Sequence, residues 1–361
     1  MTLGGAAGTV DSSPTSGRAG AAFRLGPFRP ERGGLIPEAV LHYRVFGDAS
    51  RIPTHGASLV FHALTGNADL DQWWGPLLGP GRPLDPANHP IVAANLLGGC
   101  AGSTGPNDPA HEFPLLTPAD LARAHAPLLD HLGATRLHVV AGGSLGGMVA
   151  LHWGRLSPLP VDRLVILAAP ARTSAQAIGW NAAQRMAIEA DSDWEGGRYQ
   201  PGRGPVAGLA AARAIAMITY RSAAELDCRF GRARDRRPGR FDVEEYLRRH
   251  GDKLVARFDA RSYVALMNAM DHHDLGDLHE AARETARRVR RIIGVGIDSD
   301  QLYPAAEIRR WVERYAAAGA SAEYREITSH HGHDAFLIEF DQLAPLFGND
   351  PEPRSPADSA A

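Results

Sequence analysis

The apolar positions of this chain fall into two rhythms. Ser58-Leu59-Val60-Phe61, Ile91-Val92-Ala93-Ala94, Leu137-His138-Val139-Val140 and Leu164-Val165-Ile166-Leu167 are short apolar runs bounded by turn signals. Runs of this length, rich in β-branched residues, predict strands covered on both faces. Ala119 to Leu132 and Leu145 to Leu156 carry helical spacing between them. The alternation resumes with Arg291-Ile292-Ile293-Gly294-Val295-Gly296, a helix near Ala305 to Ala318 and a strand near Glu323 to Ile327. The prediction is an α/β fold whose mostly parallel sheet has helices on both faces.

The stretch from 171 to 285 breaks this rhythm. Helical patterns fill it, at Thr173 to Glu189, Gly208 to Thr219, Val243 to Phe258 and Ala260 to Met270. It reads as a helical lid inserted between two segments of one core, 21–170 and 286–348. The ends, 1–20 and 349–361, are rich in small and polar residues. They hold too little apolar surface to offset the entropy of ordering and are expected to be disordered.

Composition narrows the class. Of 361 residues, 44% are apolar and 22% charged, as in ordinary globular domains. A formal net charge of −3 argues against nucleic acid or an anionic membrane as partner. Two cysteines, Cys100 and Cys228, exclude a disulfide framework. No run of about eighteen apolar residues suits a membrane span, and the N-terminus lacks a signal-peptide pattern. The expectation is a cytoplasmic enzyme.

The chemistry centres on Gly142-Gly143-Ser144-Leu145-Gly146, which follows an apolar strand and opens a helical run. A serine on such a sharp turn needs small neighbours two residues either side. It also stands at a helix N-terminus, where free N–H groups favour negative charge. This context identifies the α/β-hydrolase fold with Ser144 as nucleophile. A serine hydroxyl needs a base and an orienting carboxylate, in the chain order Ser, acid, His. The acid is expected at Ile297-Asp298-Ser299-Asp300, with Asp300 preferred to Asp298. The histidine is expected in Ser329-His330-His331-Gly332-His333-Asp334, with His333 preferred because an apolar helix follows it.

An oxyanion hole requires two backbone donors, expected from Leu145 and from Leu64 in His62-Ala63-Leu64-Thr65-Gly66. His62 reads as a brace for that loop. His330, His331 and the pair His272-His273 read as structural or solvated, and no metal site is expected. Gly98 to Pro106 is glycine-rich but lacks the ending of a phosphate loop, so it reads as a tight loop beside the site. Trp73-Trp74 should fill the core or the pocket wall.

Several segments resemble the homoserine O-acyltransferases of the α/β-hydrolase superfamily. They are His62 to Gly66, Trp73-Trp74, Gly79-Pro80-Gly81, Leu97 to Pro106 and Gly143 to Met148. Ala212-Arg213, Ile218-Thr219-Tyr220, Phe230-Gly231, Ala269-Met270-Asp271, Ser299 to Pro304 and Gly332 to Leu337 extend the resemblance over about residues 24 to 347. It implies Ser144, Asp300 and His333 as catalytic residues, and Arg213 and Asp334 as contacts to the amino acid, with Tyr220 beside them. A guanidinium and a carboxylate suit the two charged ends of homoserine.

The resemblance further implies a ping-pong O-acetyltransferase. The acyl group passes from acetyl-CoA through Ser144 to L-homoserine, with no metal or bound cofactor, in a homodimer formed by lid helices, and the product feeds methionine synthesis. Succinyl-using relatives carry an arginine two residues after the triad aspartate. Leu302 stands there, which favours acetyl. Against this, Thr219-Tyr220-Arg221-Ser222 also occurs in succinyl-using relatives acting on serine, and Arg221 can supply the missing charge. The alternatives are an O-succinyltransferase acting on homoserine or serine, and a serine ester hydrolase. The lid arginines Arg229, Arg232, Arg234, Arg236, Arg237 and Arg240 read as a solvated loop rather than a coenzyme A site.

Overall fold

The structure, a computed structural model, describes residues 20–106, 112–234 and 239–348. The two tails expected to be disordered lie outside these residues, apart from Gly20, as do Arg236 and Arg237 of the basic lid run.

Every continuous apolar run becomes a strand of one sheet. Its strands are β1 (Ala21–Phe28), β2 (Ile36–Phe46), β3 (Ala57–Phe61), β4 (Ile91–Ala94), β5 (Leu137–Gly143), β6 (Val161–Leu167), β7 (Val289–Ile297) and β8 (Ala322–Ile327). They lie in the order β1-β2-β4-β3-β5-β6-β7-β8, parallel from β4 to β8. The helices are α1 (Ile52–His55), α2 (Leu70–Trp73), α3 (Pro118–Arg123), α4 (Ala126–His131) and α5 (Leu145–Leu156). Then follow α6 (Ala175–Glu189), α7 (Val206–Tyr220), α8 (Ala223–Arg229), α9 (Asp242–Val255), α10 (Ala260–Asp271), α11 (Leu278–Ala286), α12 (Ala305–Ala317) and α13 (Phe340–Phe347).

Both sheet faces are apolar because alternate residues of each strand enter different cores. Leu59, Phe61, Val140, Leu164 and Ile166 meet α5 and its neighbours. Val60, Ala141, Val165 and Val295 meet Trp74 and α13 on the other side. Fully buried, uninterrupted runs in the sequence are the direct record of this double coverage.

Three features depart from expectation. The apolar pattern marks no strand at β1 or β2. These strands are antiparallel at the sheet edge, half exposed, and carry register shifts around Gly26, so they lack a clean apolar run. Ala119 to Leu132 is two helices rather than one. Pro127 has no N–H to continue the ladder, and the chain re-enters helix at Ala126. The lid closes earlier than residue 285. Arg172 bridges Asp274, and Thr173 N–H and Leu275 N–H complete the stem at 3.0 Å each. The following α11 packs on α5 and α12, as part of the core.

His273 explains the position of that stem. Its Nε2–H donates to Pro170 O at 2.7 Å, and its Nδ1 accepts from His152 Nε2–H of α5 at 3.2 Å. Burial pushes His273 down to about 4, so the pair is neutral and structural. No helix among the described residues is long and apolar enough to cross a membrane.

A close backbone approach in the core lies at Gly146. A Cβ there would sit inside 3 Å of Phe61 O, Phe61 C and His62 O, none of which can rotate away. Gly146→Ala should therefore destabilise by about 3 kcal/mol. A fall of roughly 4 °C in thermal midpoint by circular dichroism is expected.

Candidate active site

The carboxyl ends of β3, β5, β7 and β8 converge on one edge, the usual position for a site in an open α/β sheet. Ser144 follows β5 at φ 56° and ψ −124°, conformational strain held by its surroundings. Its N–H donates to Leu167 O at 2.9 Å. A side chain at Gly142 would strike Gly146 O, and one at Gly143 would strike the Phe336 ring. Leu145 is the first residue of α5, so its N–H has no partner within the helix.

Asp300 and His333 are brought together by the loops after β7 and β8. His333 Nδ1–H donates to Asp300 Oδ2 at 2.7 Å. Asp300 Oδ1 accepts from the N–H groups of Leu302 at 2.8 Å and Tyr303 at 3.0 Å, which fixes the carboxylate. Asp298 goes elsewhere, accepting Ser329 N–H at 3.0 Å. The His333 ring is buried against Tyr303, Phe336 and Tyr220, with centroids 5.2, 5.5 and 5.7 Å away. Its Nε2 has no hydrogen-bond partner among the described residues, which leaves it available to a serine proton. Burial disfavours the imidazolium. The Asp300 charge and hydrogen bond, with Asp334 next in the chain, outweigh that and hold His333 above its ordinary value.

The loop after β3 is held rigidly. His62 Nε2 accepts Leu96 N–H at 3.0 Å, while Nδ1–H donates to Ala63 O at 2.7 Å. Burial drives His62 down to about 4, so it braces the loop as a neutral ring. Leu64 is buried in this loop, and Thr65 O accepts Arg257 Nη1–H of the lid at 2.7 Å. The glycine-rich segment is bound to β2. Thr104 N–H donates to Val40 O, and Ser103 Oγ accepts His42 N–H, both at 2.9 Å.

The lid supplies the remaining side chains. The Arg213 guanidinium lies over the Tyr220 ring at 5.4 Å. Asp334 faces Arg213 and His333, but its direct partner is Arg221 at 3.2 Å. Arg221 also bonds both Glu225 oxygens, at 3.1 and 3.2 Å. Leu302 is buried. Of the other histidines, His331 approaches Glu225 at 3.4 Å and His330 lies against His331.

Two residues that the sequence motifs contain take contacts that the motifs do not reveal. Trp74 Nε1–H donates to Phe336 O at 3.0 Å and so anchors the chain just beyond His333. Arg221 reads in the sequence only as a charge near the acyl group, although Glu225 at i+4 on the next turn signals an ion pair.

This elbow and this arrangement of loops define an α/β hydrolase, and the family model for the alpha/beta hydrolase fold matches residues 59–339. A protein of Thermus thermophilus named homoserine O-acetyltransferase is 44% identical, over 88% of this chain and 87% of its own length. One of Carboxydothermus hydrogenoformans with the same name is 40% identical, over 88% and 91%. The crystal structure of homoserine O-acetyltransferase from Staphylococcus aureus superposes with a TM-score of 0.75 at 28% identity, covering 94% of this chain and 98% of that one. The chain belongs to the homoserine O-acetyltransferase family.

A base must be neutral to accept a proton, so acylation should fail as pH drops through the raised His333 value. With p-nitrophenyl acetate as acyl donor, the acid limb of kcat/KM should lie above 6.5, the ordinary imidazole value. Asp300→Asn should cost on the order of 10⁴ in rate by stabilising the wrong tautomer, as in serine proteases. Asp298→Asn should cost far less, and the reverse ranking would reassign the acid.

Proposed function

We propose that this chain transfers an acetyl group from acetyl-CoA to the γ-hydroxyl of L-homoserine through an acetyl-Ser144 intermediate. The observation that carries the reading is the 40–44% identity, over 88% of the chain, to relatives named for that activity. The site chemistry supports it. His333 Nε2 takes the Ser144 proton as Oγ attacks the thioester carbonyl. The C–S bond breaks, and the coenzyme A thiolate leaves with that proton. His333 then deprotonates the homoserine hydroxyl, which attacks the acyl ester and releases Ser144. Leu64 and Leu145 N–H groups would hold the oxyanion in both steps. The sequence of steps balances without a resident cofactor.

Homoserine is a zwitterion, and Arg213 and Asp334 offer it one charge of each sign. Tyr220 lies near both, its phenol pushed up by burial and therefore neutral. An acetyl donor suits the pocket better than succinyl. Leu302 offers no charge to a second carboxylate, and the Arg221 guanidinium is already compensated by Glu225 and Asp334.

A homodimer through the lid belongs to the same reading. Ile178, Trp180 and Met186 of α6 and Val206 and Ile218 of α7 are large apolar side chains left exposed.

Intact mass after exposure to acetyl-CoA should show one acetyl adduct, absent from Ser144→Ala. Acetylation should exceed succinylation by roughly a hundredfold, the factor for about 3 kcal/mol of unpaired buried charge. Leu302→Arg should narrow that ratio. Free thiol released at the same rate with and without homoserine would identify an ester hydrolase instead. In light scattering the wild type should be a dimer, and Met186→Glu with Ile218→Glu should give monomer. A monomeric wild type would reject the interface.

A further inference from the structure

The turn joining α7 to α8 is pressed onto the loop that carries His333. Gly332 has φ +67°, and a Cβ there would collide with Tyr220 O, Ser222 N and Arg221 C. Ser222 Oγ–H donates to His330 O while also capping α8 through Glu225 N–H at 3.0 Å. His331 Nδ1 lies 3.4 Å from Glu225. Backbone and side chains of the turn therefore track the histidine loop residue by residue.

Arg221 stands at the centre of this contact. Its side chain is 14% exposed, and those of Asp334 and Glu225 are 16% and 7% exposed. A buried carboxylate, Glu225, and a largely enclosed one, Asp334, share one guanidinium. Glu225 and Arg221 neutralise each other, which leaves Asp334 with a negative charge to offer outward. A carboxylate this buried needs a fixed cation to stay ionised before its ligand arrives. The ligand's own ammonium cannot do that in the empty site.

We infer that Arg221 is a positioning residue for the acceptor half-reaction, holding Asp334 ionised and aimed so that it can receive the ammonium of the acceptor amino acid. The inference rests on the homoserine reading above. Arg221 acts through Asp334 and not on the acyl group. Acylation of Ser144, which involves no amino acid, does not depend on it.

The groups facing Asp334 are Arg221, Arg213, His333, Glu225, Tyr220 and Tyr246. Burial pushes its carboxyl up, Glu225 adds to that, and Arg221, His333 and Arg213 hold it down. Without Arg221 the carboxyl rises further. More of it is then protonated near neutrality, and the loss of ammonium binding deepens as pH falls.

The test separates the two half-reactions. Acetyl-enzyme formation from acetyl-CoA alone is followed by intact mass, and its discharge is then measured against homoserine concentration between about pH 6 and 9. In Arg221→Gln, acylation should stay within about twofold of wild type. The homoserine concentration for half-maximal discharge should rise at least about tenfold near pH 7, and fall again with rising pH. Arg221→Lys should restore most of it. In an Asp334→Asn background, Arg221→Gln should add nothing.

Equal losses in both half-reactions, additive losses in the Asp334→Asn background, or a changed acetyl-to-succinyl ratio would each overturn the proposal. If Arg221→Gln does not fold, Glu225→Gln carries the test by freeing the guanidinium from its second partner. It also removes a charge that pushes the Asp334 carboxyl up, so the pH at which the homoserine requirement rises should shift downward with acylation intact, and no shift would overturn the proposal. A wild-type acetyl-enzyme that homoserine does not discharge would reject the homoserine reading itself. Discharge with no effect of Arg221→Gln would reject only the positioning role.

Discussion

One steric constraint governs the centre of the molecule. The start of α5 lies so close to the ends of β3 and β5 that no methyl group fits at Gly142 or Gly146. That approach is accompanied by a positive φ at Ser144. The same contact sets the loop after β3, because the atoms facing Gly146 are Phe61 O and His62 O, where that loop begins. Ser144 and the backbone N–H groups of Leu64 and Leu145 thus take their spacing from one backbone approach. Bulk at this point would move all three together.

Around the elbow, burial decides which charges are tolerated. His62 and His273 are neutral rings because nothing nearby repays the desolvation of a cation. His333 is equally enclosed, yet its cation is supported by Asp300, which three N–H groups hold in place. Asp334 repeats the problem with opposite sign and draws its cations from the lid. The lid therefore brings side chains against both His333 and Asp334. Arg213, Tyr220 and Arg221 come from the excursion between β6 and β7, while Asp334 comes from the core. Their meeting depends on the Arg172–Asp274 stem and on Gly332 lying beneath the turn after α7.

The limits of legibility follow from the same physics. The strands β1 and β2 leave no signature, since the edge strand β1 is interrupted at Gly26 and its partner β2 is only partly buried, so neither has a continuous apolar run or clean alternation. The break before α4 is written in Pro127, whose missing N–H outweighs the helical spacing on either side. The lid boundary is hidden because α11 looks like the helices before it. Nothing in its local pattern reveals that its buried face, Ala281, Ala282 and Thr285, meets α5 and α12.

By itself the sequence determined the parallel core, the elbow at Ser144, and the short lists from which acid and base had to come. These are local properties: apolar runs record double coverage, and glycines flanking a serine record a backbone approach. Only the tertiary structure set Asp300 against His333 and Asp298 against Ser329 N–H, although the two lie two residues apart on one loop. It alone tied Trp74 to Phe336 O, across 262 positions. It alone committed Arg221 to Asp334 and Glu225. Which groups share a buried space depends on how distant loops meet, and no local pattern of side chains encodes that meeting.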